Sequence, residues 1–158
     1  AMWIELSDGW VAVLNVVGIP AAHFGLSWLF TRMPASWFRP AAFPFARWPG
    51  ESAGTYDRWF RVKRWKHLLP DAAGWFGGFP KAGLRSRDAA YLEQFRIETC
   101  RGEAAHWAQW LVISGFIIWT PWPWALVLPV YAILMNLPCI LLQRQNRLRL
   151  GRLLVADP

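Results

Sequence analysis

Residues 102–143 read GEAAHWAQWLVISGFIIWTPWPWALVLPVYAILMNLPCILLQ and contain no lysine or arginine. Residues 1–31 also lack both, so all 17 lysines and arginines fall between Arg32 and Arg101 or between Arg144 and Arg152. The cation-free segments are the most apolar parts of the sequence. Because a charged side chain at a bilayer centre costs about 2.5–3.5 kcal/mol on insertion scales, this distribution predicts an integral membrane protein.

The composition points the same way. Apolar residues make up 55% of the chain and charged residues only 17%, and 13 residues are tryptophan, which favours the membrane–water interface. The net charge is +7, which indicates attraction to anionic lipid headgroups. We therefore expect membrane lipid and a lipid-like substrate as partners and expect no nucleic acid. The sequence leaves the oligomeric state open.

The hydropathy pattern predicts an all-α membrane protein with a single domain, residues 1–158. The expected spans are about 9–30, 104–119 and 124–142. A basic, Trp-rich interfacial segment, 32–101, and a tail, 144–158, carry the cations. Because short cytoplasmic loops carry the excess of lysine and arginine, we expect a multi-pass protein of the cell membrane with its N-terminus outside and its C-terminus in the cytoplasm.

Local signals subdivide the basic segment. Its first part contains four prolines that exclude a long helix: Pro34, Pro40, Pro44 and Pro49. Residues 56–66 indicate a short interfacial helix, with an extended segment as the alternative. The glycine-rich residues 74–81 indicate a loop, and a second long helix is expected from near Asp88 to Trp119, with Ser86 as its cap.

Polar side chains on the second helix predict chemistry at the membrane boundary. Glu103 and His106 share one helix face, so the carboxylate is expected to orient the imidazole as a general base requires. Arg101 lies beside them in sequence. The structural alternative is a charge-balanced interfacial helix whose histidine reaches toward water. Because the chain has only three histidines, we expect no metal site and no bound cofactor.

The third helix carries a polar stripe, Asn136, Cys139, Gln143 and Arg147, at helical spacing. The turn at residues 120–123 makes the second and third helices antiparallel neighbours. At 1.5 Å per residue, His106 and Asn136 both lie about 20 Å from that turn. We therefore expect these two side chains to approach each other and to line one cavity. Hydrogen bonds that only hold the helices together are the alternative.

Cations near the glycine-rich loop predict an anion site. The loop ends at Lys81, and Lys63, Arg64 and Lys66 precede it. Together with Arg144 and Arg147, they are candidates for binding a phosphate-bearing ligand such as coenzyme A, or a lipid phosphate.

Three motifs resemble those of one family, and they occur in the family's order. They are Arg64-Trp65-Lys66 with Leu69-Pro70 and Gly77-Gly78-Phe79; Glu98-Thr99-Cys100-Arg101-Gly102-Glu103 with His106-Trp107; and residues 136–149, NLPCILLQRQNRLR. The family is the glycosyl-diaponeurosporenoate acyltransferases of the staphyloxanthin pathway. The resemblance covers roughly residues 56–150.

The resemblance implies a membrane acyltransferase of carotenoid biosynthesis, which moves a fatty acyl group from an acyl thioester, such as acyl-CoA, to a sugar hydroxyl of a glycosylated carotenoid or similar glycolipid. In our reading of the residues, His106 is the base, and Arg101, Asn136 or Gln143 stabilises the oxyanion. A variant mechanism makes Cys100 an acyl-enzyme nucleophile with His106 as its base. The alternative class is a non-catalytic lipid- or carotenoid-binding protein, or an assembly partner of another membrane enzyme.

The cation distribution generates a topology prediction. A cysteine replacing Trp122 should react with a membrane-impermeant thiol reagent added from outside intact cells, because the turn at residues 120–123 is expected on the outer side of the membrane. A cysteine replacing Trp75 should react only after permeabilisation. Labelling of the Trp122 position only from the cytoplasm would reject the model.

Overall fold

The computed structural model describes residues 3–156, and no strand occurs among them. The α-helices of this part of the chain are α1 (Asp8–Arg32), α2 (Ala53–Phe60), α3 (Val62–Trp65), α4 (Ala89–Gly115) and α5 (Val127–Ala156). Short 3-10 helices occur at Ala35–Trp37, Lys66–Leu68, Ala72–Phe76, Phe116–Ile118 and Trp124–Leu126. The predicted all-α class is confirmed.

The helix α1 runs antiparallel to α4 and is tied to it at both ends. Near its start, Asn15 donates to Thr120 Oγ1 (3.1 Å), beyond the end of α4. At its other end, Arg101 Nη1 donates to the carbonyls of Phe30 (2.7 Å) and Met33 (2.5 Å). Carbonyls at a helix C-terminus lack intrahelical donors, and a cation there also complements the helix dipole. Arg101 therefore caps α1.

The helices α4 and α5 are antiparallel and pack along their lengths. Asn136 on α5 meets His106 on α4, and farther along, Arg147 meets Thr99. The intervening turn at Trp119–Pro123 was expected from the Pro-Trp-Pro sequence. Gly18 of α1 lies against the Phe116 ring at this end of the bundle, where a Cβ would lie 2.9 Å from Cε2 of Phe116 and the ring would have to shift.

Two helices in residues 3–156 are long and apolar enough to cross a membrane, Asp8–Arg32 and Trp124–Val155. Many of their apolar side chains are exposed on the protein surface, including Val16, Val17, Val130 and Leu134. This arrangement suggests membrane association. The expected span at 104–119 is not among these helices, because α4 begins with a charged half, so the three-span topology stays a prediction.

The local predictions are confirmed in part. Residues 74–76 of the expected loop belong to a 3-10 helix, and α4 ends at Gly115 and is followed by a 3-10 turn, whereas the helix was expected to reach Trp119. Residues 56–66 are helical but are divided at Arg61, whose backbone is left-handed (φ 51°). The cap of α4 is Asp88, which accepts from the Tyr91 amide (3.2 Å), whereas Ser86 accepts from the Asp88 amide. Helix α5 continues through the expected tail as far as Ala156, and residues 157–158 lie outside the described part of the chain.

The proline-rich residues 34–52, which we call the strap, cross α4 and α5 and are held there by two arginines of α5. Arg144 donates to both carboxylate oxygens of Glu51 (2.9 and 3.0 Å) and to the carbonyls of Pro44 and Ala46 (3.2 Å each). Its guanidinium also lies 4.3 Å from the centroid of the Trp48 ring. Arg147 Nε donates to the carbonyl of Phe45 (3.1 Å).

The same arginines hold Glu103 of α4. Arg144 Nη1 donates to Glu103 Oε1 (2.9 Å), and Arg147 Nη2 donates to Glu103 Oε2. All four charged residues of this cluster, Glu51, Glu103, Arg144 and Arg147, are buried. Two cations and two carboxylates balance, and a buried charge left without its partner is costly. The cluster therefore fixes the strap, α4 and α5 relative to one another.

Glu51 remains ionised in this cluster. Burial would raise the pKa of Glu51, but hydrogen bonds from Arg144, Tyr56 and the Trp48 amide outweigh burial and hold the pKa below its usual value. A lowered folded-state pKa means that the stabilisation is present above the pKa of the unfolded chain and is lost as the pH falls through the folded pKa. The attachment of the strap is therefore sensitive to acid.

We predict that Arg144→Ala lowers the stability of the protein by about 3–5 kcal/mol, because Glu51 and Glu103 lose a shared partner in a buried site. Thermal unfolding in detergent, followed by tryptophan fluorescence, measures the change. Arg64→Ala is the control, since Arg64 is exposed, and it should melt like the wild type. An Arg144→Ala protein with an unchanged melting curve would contradict a structural role for the cluster.

Candidate active site

A cavity of about 670 Å³ lies between α1, α4, α5 and the segment from Lys66 to Leu84. Its apolar wall includes Phe30, Phe76, Phe79, Phe95, Leu142 and Leu153. Its polar and charged lining residues are Ser27, Thr31, Lys66, His67, Asp71, Lys81, Glu98, Arg101, His106, Gln143, Asn146 and Arg149. A largely apolar wall with convergent polar groups suits a lipid that carries a polar head.

The predicted approach of His106 to Asn136 is confirmed. His106 lines the cavity, and its Nδ1 lies 2.8 Å from Asn136 Oδ1. Asn136 Nδ2 donates to the carbonyl of Ala132 (2.8 Å), which fixes the orientation of the amide. Because Oδ1 can only accept, His106 Nδ1 carries the hydrogen, and Nε2 is the lone-pair nitrogen of the neutral ring. Asn136 itself is buried behind the histidine.

The predicted pairing of Glu103 with His106 is wrong. Both carboxylate oxygens of Glu103 accept from arginines of α5, and Oε1 also accepts from Trp107 Nε1 (3.4 Å). The spacing of three residues does place both side chains on α4, but two buried guanidinium groups bind a carboxylate more strongly than a neutral imidazole does. Asn136 takes the orienting position that the sequence assigned to Glu103.

Gln143 and Arg101 line the cavity as potential donors. The Gln143 side chain packs against Gly102 of α4, where an added Cβ would lie 3.1 Å from both Cδ and Nε2 of Gln143. The Gln143 Oε1 atom is buried without a hydrogen-bond partner in the described structure. Arg101 is largely committed, because Nε donates to Glu98 (3.0 Å) and Nη1 caps α1. Gln143 is therefore the more available of the two for a ligand.

The six predicted anion-binding cations separate into three groups. Lys66 and Lys81 line the cavity, whereas Lys63 and Arg64 lie in a separate shallow groove with Asp57. Arg144 and Arg147 belong to the buried cluster under the strap and do not line the cavity, so their placement does not support the ligand-binding role predicted for them. Lys81 is held by a hydrogen bond to the carbonyl of Phe79 (3.1 Å), and burial lowers its pKa despite the carboxylates of Glu98 and Asp71.

The cysteines differ in position. Cys100 is fully buried, in a cluster with Phe38 and Phe45, and it does not line the cavity. That position disfavours the acyl-enzyme variant, because a nucleophile has to reach the bound thioester. Cys139 does line the cavity. No group of three potential metal ligands among His, Cys, Asp and Glu occurs in the described part of the chain.

Two lining residues of α1 were not predicted from the sequence. Ser27 and Thr31 are one helical turn apart and both face the cavity. Ser27 follows His23 by four residues, so the polar face of α1 was visible in the sequence. Its contact with α4 depends on the tertiary packing and could not be deduced from the spacing alone.

Comparison with known proteins identifies relatives of this chain. Residues 34–156 match the family model described as glycosyl-4,4'-diaponeurosporenoate acyltransferase. Proteins of that name from Staphylococcus aureus strains bovine RF122 / ET3-1 and USA300 are each 34% identical over 131 residues, which cover 80% of this chain and 77% of the relative. The protein from strain MRSA252 is 32% identical over 130 residues, with the same coverage.

No solved structure matches the chain. The family match covers the strap, both helices of the His106–Asn136 pair and the segment with Lys66 and Lys81, and the family resemblance seen in the sequence motifs is confirmed. Because the family and these relatives are named as acyltransferases, the enzyme interpretation holds. The chain belongs to the glycosyl-4,4'-diaponeurosporenoate acyltransferase family and is an acyltransferase.

Proposed function

We propose that this enzyme transfers a fatty acyl group from an acyl thioester, such as acyl-CoA, to a sugar hydroxyl of a glycosylated carotenoid or similar glycolipid at the cytoplasmic face of the membrane. The observation that carries the proposal is the His106–Asn136 pair on the wall of a largely apolar cavity. The names of the relatives supply the acceptor class.

His106 is the general base of the proposed reaction. Its Nδ1–H is held by Asn136, so Nε2 can accept a proton from the acceptor hydroxyl. The hydroxyl oxygen attacks the thioester carbonyl carbon, and the carbonyl oxygen becomes an oxyanion. When this intermediate collapses, the carbon–sulfur bond breaks, the thiolate takes the proton from His106, and the products are an ester and a thiol.

Gln143 is the proposed donor to the oxyanion. Its amide reaches the cavity beside Gly102, one turn of α4 from His106, and a preorganised donor at the site of developing charge lowers the barrier. Arg101 adds positive charge near the same wall, although most of its hydrogen bonds hold α1 and Glu98.

Lys66 and Lys81 are the proposed contacts of the donor phosphates. Lys81 is fixed near the cavity because the Asp71 carboxylate accepts from the amides of Lys81 (2.6 Å) and Ala82 (2.8 Å) and so shapes this loop. Lys66 lies at the exposed side of the cavity. The apolar wall formed by Phe76, Phe79 and Phe95 is suited to the acyl chain.

We predict that His106→Ala lowers kcat by about 10²–10⁴, the usual effect of losing a general base, with little change in KM. The assay is transfer of a radiolabelled acyl group from acyl-CoA to a glycolipid by the purified protein. Leu111→Ala, an exposed position on the same helix, is the control and should retain activity. A folded His106→Ala enzyme within a few-fold of wild type would exclude His106 as the base.

We predict that Lys81→Met raises the KM for acyl-CoA about tenfold or more, because it removes a charge-assisted hydrogen bond. Lys66→Ala should have a smaller effect, since Lys66 is exposed. Lys63→Ala lies outside the cavity and should leave this KM unchanged. If Lys63→Ala has the effect and Lys81→Met does not, the donor lies in the shallow groove instead.

A further inference from the structure

A string of polar side chains joins the three long helices beside His106 and ends at the cavity. Gln109 on α4 donates from Nε2 to Ser27 Oγ (2.9 Å) and to the carbonyl of His23 (3.2 Å). Its Oε1 lies 3.1 Å from His23 Nδ1, and Tyr131 Oη on α5 lies 3.3 Å from His23 Nε2. None of these residues has a part in the acyl-transfer chemistry described above.

The carbonyl oxygen of His23 fixes the direction of each hydrogen bond in this string. The carbonyl of His23 can only accept, so the nitrogen of the Gln109 amide must face it, and Oε1 must face the histidine ring. Oε1 can only accept, so His23 Nδ1 carries the ring hydrogen. In the neutral ring, Nε2 then accepts from the Tyr131 hydroxyl.

Ser27 is left as a donor at the end of the string. Its oxygen already accepts from Gln109, and among the described residues no acceptor for its own hydrogen is seen. Ser27 lines the cavity, so that hydrogen can be directed to a ligand. One turn along α1, Thr31 Oγ1 donates to the carbonyl of Trp28 (2.6 Å) and therefore presents lone pairs to the same cavity.

We infer that this face of α1 binds the sugar of the acceptor. A sugar hydroxyl both accepts and donates, which matches a donor at Ser27 and an acceptor at Thr31. Gln109 lies one turn from His106 on α4, so a sugar held by α1 has its reactive hydroxyl next to the proposed base. Gln109 and His23 act as positioning residues for Ser27.

The inference rests on the proposed function for its substrate class, but it concerns a part of the chain that the family match does not include. That match begins at residue 34, whereas Ser27 and Thr31 lie on α1. The competing explanation is that the string only holds the helices together. Selective binding of the sugar distinguishes the two explanations, because the loss of a purely structural contact would not depend on the headgroup of the ligand.

The experiment compares the binding of an alkyl glucoside and of the alcohol with the same chain to the purified protein in lipid nanodiscs. The wild type should bind the glucoside more tightly. Ser27→Ala should weaken glucoside binding about three- to tenfold, the effect of one neutral hydrogen bond, and reduce the difference in affinity between the glucoside and the alcohol. Ser27→Thr, which keeps the hydroxyl, should restore binding, and Gln109→Leu should behave like Ser27→Ala.

Ser114→Ala is the matched control, because this serine of α4 does not line the cavity. Equal glucoside binding by wild type and Ser27→Ala would overturn the inference, as would a wild type that does not distinguish the glucoside from the alcohol. If the wild type distinguishes them and Ser27→Ala does not, but no acyl transfer occurs, the sugar site stands and the proposed reaction fails.

Discussion

The buried cluster of Arg144, Arg147, Glu51 and Glu103 is the constraint on which the rest of the structure depends. Each arginine reaches both the strap and α4, so the cluster joins three segments that are distant in sequence. Its two positive and two negative charges cancel. The backbone carbonyls of the strap accept the hydrogen bonds of guanidinium N–H groups that do not bind a carboxylate. The hydrogen bonds within the strap are short-range turns, such as that from the Phe45 amide to the Ala42 carbonyl, and the two arginines hold these turns against α4 and α5.

Because Arg144 and Arg147 bind within this cluster, the polar residues along α5 have different roles at its two ends. Arg144 and Arg147 at one end hold the fold, and Asn136 at the other end orients His106. Gln143 lies between them and faces the cavity. The part of this stripe next to His106 therefore consists of neutral hydrogen-bonding groups, while Arg144 and Arg147 are buried in the cluster and do not line the cavity.

Sequence spacing predicts which residues share a depth and a helix face. It does not predict which of several possible partners a polar side chain binds. Counting residues from the Pro-Trp-Pro turn was sufficient to pair His106 with Asn136. The same reasoning assigned Glu103 to His106 because the two lie three residues apart on one helix. The actual partners of Glu103 come from α5, and the arginine cluster needs Glu51, whose place in the irregular strap has no periodicity from which a contact could be inferred. Similarly, Lys63 and Lys66 are close in sequence, yet only Lys66 lines the cavity.

The helix α1 illustrates how polar groups in an apolar helix can be assigned by accounting for their hydrogen bonds. Asn15 and His23, the most polar side chains between its charged ends, both have partners on other helices or turns, so they contribute to packing. Arg101 fixes the end of α1 against α4. With both ends and the middle fixed in this way, Ser27 and Thr31 have defined positions relative to His106. Their side chains line a cavity that is partly open and has polar as well as apolar lining residues. An unpaired donor in a largely apolar surrounding is costly, so the hydroxyl hydrogen of Ser27 is best satisfied by a polar ligand.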